Sequence, residues 1–144
     1  MRKQVRIGID PDIDKSGFCI MESAPFGKKN IVKLETLCFW DLIQAIDAYH
    51  DYDDLLVCLE AGWLNKKSNY HVAANTSIAG RIGKNVSENH AVGKLVQQYC
   101  EKADILYKLI KPESKKWDAD LFKKITGYDK RTNQEQRDAV RAAW

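Results

Sequence analysis

The sequence predicts a mixed α/β sheet layered by helices, and three observations carry that expectation. Short apolar runs of strand length open the chain and return at 55–59 and 105–110. Helical spacing of apolar residues appears between and after them, giving the order β-β-β-α-β-α-β-α-α. The 144 residues, 44% hydrophobic and 30% charged, suffice for one domain with a real core and are too few for two well-buried ones. A single domain spanning 1–144 is expected.

The elements follow in order. Val5, Ile7 and Ile9 alternate with polar residues and Gly8 until Asp10-Pro11 closes the run, as in a strand ended by a turn. Phe18 to Glu22 and Ile31 to Phe39 are two further strand-like runs, joined by a turn around Pro25 and Gly27, so a three-stranded meander is expected. Phe39, Leu42, Ile43, Ile46 and Tyr49 recur at helical spacing. Leu55 to Leu59 is too short for a helix and reads as a buried strand that ends on Glu60. Gly62 to Ser87 is polar and reads as a loop with a short helix around Val72 to Ile82. Ser87 is read as the N-cap of a helix whose apolar face comprises Ala91, Val92, Leu95, Val96, Tyr99 and Cys100. Ile105 to Ile110 is a strand stopped by Pro112, Ser114 to Ile125 a basic helix stopped by Gly127, and Thr132 to Trp144 a last helix.

Composition excludes several classes. No apolar run approaches the roughly 18 residues of a membrane span, and the first residues, MRKQVRIGIDPD, lack the apolar core of a secretory signal. Four scattered cysteines without a CxxC pair and three scattered histidines argue against a disulfide frame or a zinc site, and fit a reducing cytoplasm. The net charge of +3 does not by itself indicate nucleic acid. Its distribution says more: between Glu60 and Glu88 there is no acid, while Lys66, Lys67, Arg81 and Lys84 fall there.

Chemistry is expected where acids sit at strand ends, because open α/β sheets build sites outside the carboxyl ends of their strands. Asp10 and Glu60 occupy such ends, and on neighbouring strands they would converge. Read alone, Asp10 could simply form a turn before Pro11, and Glu60 could face solvent. Asp138, in QEQRDAVRAAW, supplies a third acid on a helix, with Glu135 three residues earlier on the same face. Glu135 has a competing role, because Thr132-Asn133-Gln134-Glu135 matches a capping box. Convergent carboxylates suit Mg²⁺, with Mn²⁺ as a substitute, and two such ions about 3.5 to 4 Å apart catalyse phosphodiester hydrolysis.

These residues carry a resemblance. Ile7-Gly8-Ile9-Asp10-Pro11 with Gly17, then Glu60-Ala61-Gly62-Trp63, then Glu135-Gln136-Arg137-Asp138-Ala139-Val140 with Ala142 and Ala143, resemble in order and spacing the motifs of the RuvC-type Holliday junction resolvases of the ribonuclease H-like superfamily. The likeness implies a ribonuclease H-like mixed five-stranded sheet flanked by helices, an endonuclease cutting four-way junctions with Asp10, Glu60, Glu135 and Asp138 as catalytic metal ligands, and a homodimer. The segment with Pro112, Lys115 and Lys116 is similar to the family's lysine-bearing segment, whose active-site lysine corresponds to Lys116 or Lys123. The chain departs from the pattern at Asp12, where the family has glycine, and at Glu135, where Asp is commoner.

The expected DNA contacts are Trp63, Lys66, Lys67, Arg81, Lys84, Lys115, Lys116 and Lys123. Trp63 could stack on an unpaired base at a branch point, or fold back as core. Two rival readings accompany the nuclease: a non-catalytic binding or assembly protein of the same fold, and an actin-like ATPase relative, suggested by Asp10 to Gly17. The ATPase lacks room for its second glycine-rich region, and Gly80 to Lys84 is too short for a Walker A loop.

Overall fold

A computed structural model describes residues 3–65 and 76–144. Five strands, β1 (Gln4–Asp10), β2 (Ser16–Ser23), β3 (Lys29–Leu37), β4 (Leu55–Glu60) and β5 (Tyr107–Ile110), form one sheet in the spatial order β3-β2-β1-β4-β5. β1 to β3 make the expected antiparallel meander, and β4 and β5 run parallel to β1. The Ile9–Leu59 pairing places Asp10 and Glu60 side by side at the carboxyl ends of adjacent parallel strands.

Because strand side chains alternate, each strand divides its residues between two layers. Val5, Ile7 and Ile9 of β1 and Leu55, Val57 and Leu59 of β4 face α1 (Phe39–Asp47) and α2 (Thr76–Lys102), where Leu42, Ile46, Val96 and Cys100 complete a core cluster. Each fully buried aliphatic contributes roughly 1.5–3 kcal/mol. Cys19 of β2 and Cys58 of β4 belong to the opposite layer, under α4 (Gln134–Ala143) and Phe122 of α3 (Ala119–Thr126). Alternation therefore sends Asp10 and Glu60 toward the α4 side.

Two glycines set how close α4 lies to the sheet. A Cβ at Gly8 would stand 2.0 Å from the Ala139 carbonyl oxygen, and one at Gly17 would stand 2.0 Å from that of Glu135. The helix backbone rests directly on β1 and β2, which the small residues Ala139, Ala142 and Ala143 also permit. Gly17, which closes the first of the three motifs, lies within β2 opposite Asp10 and serves this close approach. Gly17→Ala should force α4 outward, lowering stability by about 1–3 kcal/mol and removing the acids of α4 from their positions. Thermal melting checks the first consequence.

Several boundaries differ from the sequence reading. Ser87 lies inside α2 rather than capping a helix, because Ile78, Ile82 and Val86 extend a four-residue apolar spacing well upstream of it. The short helix read at Val72 to Ile82 falls partly outside the described residues, and from Thr76 onward it is part of α2. β5 starts at Tyr107, since Asp104 takes a left-handed φ of 57° and the Ile105 amide bonds back to Cys100 at the end of α2. α3 starts at Ala119 because Asp118 caps it, accepting from the Leu121 amide at 2.8 Å. It ends as expected at Gly127, with φ 74°. The segment 111–118 is thereby free of helix and passes over the strand ends. No helix among the described residues is long and apolar enough to cross a membrane.

Candidate metal centre and its cleft

Asp10, Glu60 and Asp138 converge at the carboxyl end of the sheet. One carboxylate oxygen from each lies within 4.8 Å of the others, and Glu60 and Asp138 are buried. Adjacent strands supply the first two, and α4, held flat by Gly8 and Gly17, supplies the third. Asp138 Oδ1 accepts from Gln134 Nε2 at 2.8 Å, one turn earlier in α4. Its other oxygen, Oδ2, accepts from Lys116 Nζ at 2.9 Å.

The electrostatics follow from three carboxylates leaving water together. Burial, then the neighbouring charges of Glu60 and Asp138, push Asp10 up to about 8, against a weaker opposing pull from Lys116. Burial likewise raises Glu60, with Lys116 and Arg141 lowering it and Asp138 raising it. Burial works against the charge of Lys116, but its hydrogen bond to Asp138 and the pull of Glu60, Asp138 and Asp10 outweigh this and raise its pKa. Lys116 Nζ is also 3.6 Å from Glu60 Oε1.

The donor set fits a divalent cation. It offers hard oxygen ligands, its three carboxylates face only the two cations Lys116 and Arg141 among the ion pairs of the described residues, and Glu60 Oε2 is buried with no hydrogen-bond partner among those residues. Mg²⁺ or Mn²⁺ would be held by Asp10, Glu60 and Asp138.

Glu135 lies outside this tight group, although its charge adds to the upward push on Asp10. The capping box attributed to it is displaced by one residue. Asn133 accepts from the Gln136 amide at 2.8 Å, and Gln136 Oε1 accepts from the Asn133 amide at 3.1 Å. Thr132 Oγ1 instead accepts from Arg137. Asp12 is likewise occupied elsewhere: its Oδ1 accepts from the amides of Asp14 and Lys15, closing the β1–β2 turn.

A cleft of about 670 Å³ opens above the acids, lined by Asp10, Pro11, Glu60, Trp63, His90, Lys111 and Lys116 among others. Trp63 stands in a single 3₁₀ turn (Gly62–Leu64) directly after β4. Its ring is braced from behind, since a Cβ on Gly93 of α2 would be 2.4 Å from its Cζ3, and the His90 ring meets it edge-on at 6.1 Å. The ring is packed against the core and also forms a cleft wall. His90, which the sequence reading left aside, has its pKa lowered by burial and by Lys94.

The remaining basic residues are dispersed. Lys66 and Lys67 lie outside the described residues. Arg81 and Lys84 are exposed on α2, with Lys84 3.8 Å from Glu88. Lys115 is exposed beside Lys116, and Lys123 sits in the last turn of α3, away from the cleft lining. Of the two alternatives for the active-site lysine, the structure brings Lys116 to the acids. The sequence reading missed Lys111, which its place between a strand and Pro112 could have signalled, and Arg141, hidden in a run of small residues.

No protein-family model matches the chain, and no curated protein sequence matches it significantly. Solved structures do. RuvC of Thermus thermophilus in complex with a Holliday junction substrate superposes with a TM-score of 0.61 over 97% of this chain and 90% of that one, at 13% identity. The chain has a RuvC-type fold. A second Thermus thermophilus RuvC structure agrees, with a TM-score of 0.55, 14% identity, and 97% and 91% of the two chains covered. The five-stranded sheet flanked by helices is thus the ribonuclease H-like arrangement, and in this RuvC-type fold the three acids stand on β1, β4 and α4.

Proposed function

We propose that the protein is a Mg²⁺-dependent, structure-selective DNA endonuclease, with Holliday junctions as its substrate class and Asp10, Glu60 and Asp138 as its metal ligands. The observation that carries this reading is the convergence of three carboxylates at one sheet end, one of them pushed up to about 8 by its burial and neighbours. The RuvC-type fold supports the choice of substrate, since one of the matching structures holds a Holliday junction. A junction requires two symmetric cuts, and a two-fold homodimer would supply the second site.

Divalent cations bound to such ligands activate water and stabilise the leaving oxygen in phosphodiester cleavage. The chain's own residues do the rest. Gln134 orients Asp138 through Oδ1, leaving Oδ2 to Lys116. Lys116 Nζ, 42% of whose side chain is exposed, neutralises the acids and can turn to an incoming phosphate oxygen. Lys111 adds positive charge at the cleft wall, and Lys115, Arg81 and Lys84 would meet phosphates further out. Trp63, rigidly braced, offers a surface for an unstacked base.

Two predictions belong to this site. Glu135→Gln should leave the melting temperature unchanged, because Gln136 does the capping, while slowing cleavage about 10- to 100-fold through the lost charge beside the cluster. Unchanged turnover would remove Glu135 from the mechanism. Trp63→Ala should lower stability by about 2–3 kcal/mol, less than full truncation of a wholly buried ring, and reduce cleavage of a four-way junction more than that of linear duplex. Trp63→Phe should preserve most of that preference, and an equal loss on both substrates would confine the ring to a packing role.

The reading as a whole is tested by incubating purified protein with four-way, three-way and linear DNA in Mg²⁺ or EDTA. Metal-dependent incision of the branched substrates is expected. Junction binding without incision in Mg²⁺ or Mn²⁺ would favour the non-catalytic alternative.

A further inference from the structure

Arg141 interrupts the run Ala139-Val140-Arg141-Ala142-Ala143, where small residues let α4 lie on the sheet. Only 8% of its side chain is exposed, and Nε and Nη2 have no hydrogen-bond partner among the described residues. Nη2 lies 3.6 Å from Glu60 Oε2, a buried oxygen that likewise has no hydrogen-bond partner among the described residues. A buried donor and a buried acceptor thus stand just beyond bonding distance. On its other side, Nη1 lies 3.3 Å from Oε2 of Glu113, an exposed residue in the segment that delivers Lys116 to the acids. Burying such an ion pair brings little net stability compared with an apolar side chain of similar size, so stability alone does not account for it.

We propose that Arg141 is a positioning residue that grips Glu60 from beneath and Glu113 from the side, fixing one metal-ligating carboxylate and the Lys111–Lys116 segment in a single arrangement. This rests on the metal-dependent reading above. The planar guanidinium can serve two carboxylates at once, whereas a lysine ammonium is a point charge on a flexible stem. Positioning and simple charge predict opposite results. Deleting a cation beside three carboxylates should tighten cation binding if only Coulombic attraction matters, and should weaken it if Glu60 loses its orientation.

The test is a calorimetric titration of the full chain with Mn²⁺ alone, well below the melting temperature, beside single-turnover cleavage of a four-way junction. Arg141→Gln is expected to raise the Mn²⁺ dissociation constant about 10- to 100-fold, and Arg141→Lys is expected to restore little of it. Glu113→Gln, at an exposed position that should leave folding intact, is expected to give a smaller rise and to add nothing in the Arg141→Gln background. Unchanged or tighter Mn²⁺ binding in Arg141→Gln, full restoration by Arg141→Lys, or no effect of Glu113→Gln in the wild-type background would each overturn the proposal. Wild-type protein that binds no Mn²⁺ would overturn the metal-dependent function with it, whereas normal wild-type binding with indifferent variants overturns the role of Arg141 alone.

Discussion

Asp10→Asn, Glu60→Gln and Asp138→Asn are each expected to reduce DNA cleavage by about a thousandfold or more, equivalent to roughly 4 kcal/mol of lost transition-state stabilisation. Each substitution removes a ligand charge and almost no volume, so the sheet ends and the packing of α4 are retained. Far-ultraviolet circular dichroism should match the wild type, and binding to a four-way junction should persist. The three effects should also fail to add, because a site that has lost one ligand has little activity left for the others to remove. Undiminished cleavage by any one variant would exclude that residue from the mechanism.

The second large effect concerns stability without metal. Asp10 is held at about 8 in the folded protein, against 3.8 for the free group. Between those values the folded chain retains a proton that the unfolded chain releases, so the contribution of Asp10 to stability is fully present below the lower value. It is lost as pH rises through the upper one. In EDTA the wild type should therefore melt higher at pH 6 than at pH 8.5, and the raised pKa of Glu60 acts in the same direction. Asp10→Asn should melt above the wild type at pH 8.5, by about 1 kcal/mol or roughly 3–6 °C, and should flatten the pH dependence. Mg²⁺ should stabilise the wild type most at high pH, where its binding displaces fewest protons. A melting temperature that rises with pH in EDTA, or an Asp10→Asn protein that melts below the wild type, would mean the cluster is not strained by its own charge.

These two results together would describe a site whose catalytic arrangement opposes folding, and its outline was readable in the sequence. Alternating apolar residues located β1 and β4, and an acid at the end of each run could be placed on one sheet end because parallel neighbours share it. Asp138 was visible through the small residues around it. Contacts distant in sequence were not visible. That Gly17 admits the Glu135 carbonyl depends on the height of α4 above β2, and that Lys116 rather than Lys123 reaches the acids depends on where Asp138 and Asp118 lie in space. The full length of α2 was hidden because its first half is largely exposed and polar, so the Ile78-Ile82-Val86 spacing stood among glycines and asparagines. The cap of α4 was misplaced by one residue because Thr132-Glu135 and Asn133-Gln136 both fit the same pattern.

If this acid cluster cuts branched DNA with the help of a divalent cation, cleavage must depend on the junction, on the metal and on the acids together. The most direct measurement is the single-turnover cleavage rate of a four-way junction and of a linear duplex of the same sequence, for wild type and Asp138→Asn, in Mg²⁺ and in EDTA. Paired, symmetric incisions of the junction by the wild type in Mg²⁺ are expected, with much slower cutting of the duplex and none with EDTA or with Asp138→Asn. Equal rates on junction and duplex, or junction cleavage that survives EDTA or Asp138→Asn, would contradict this dependence.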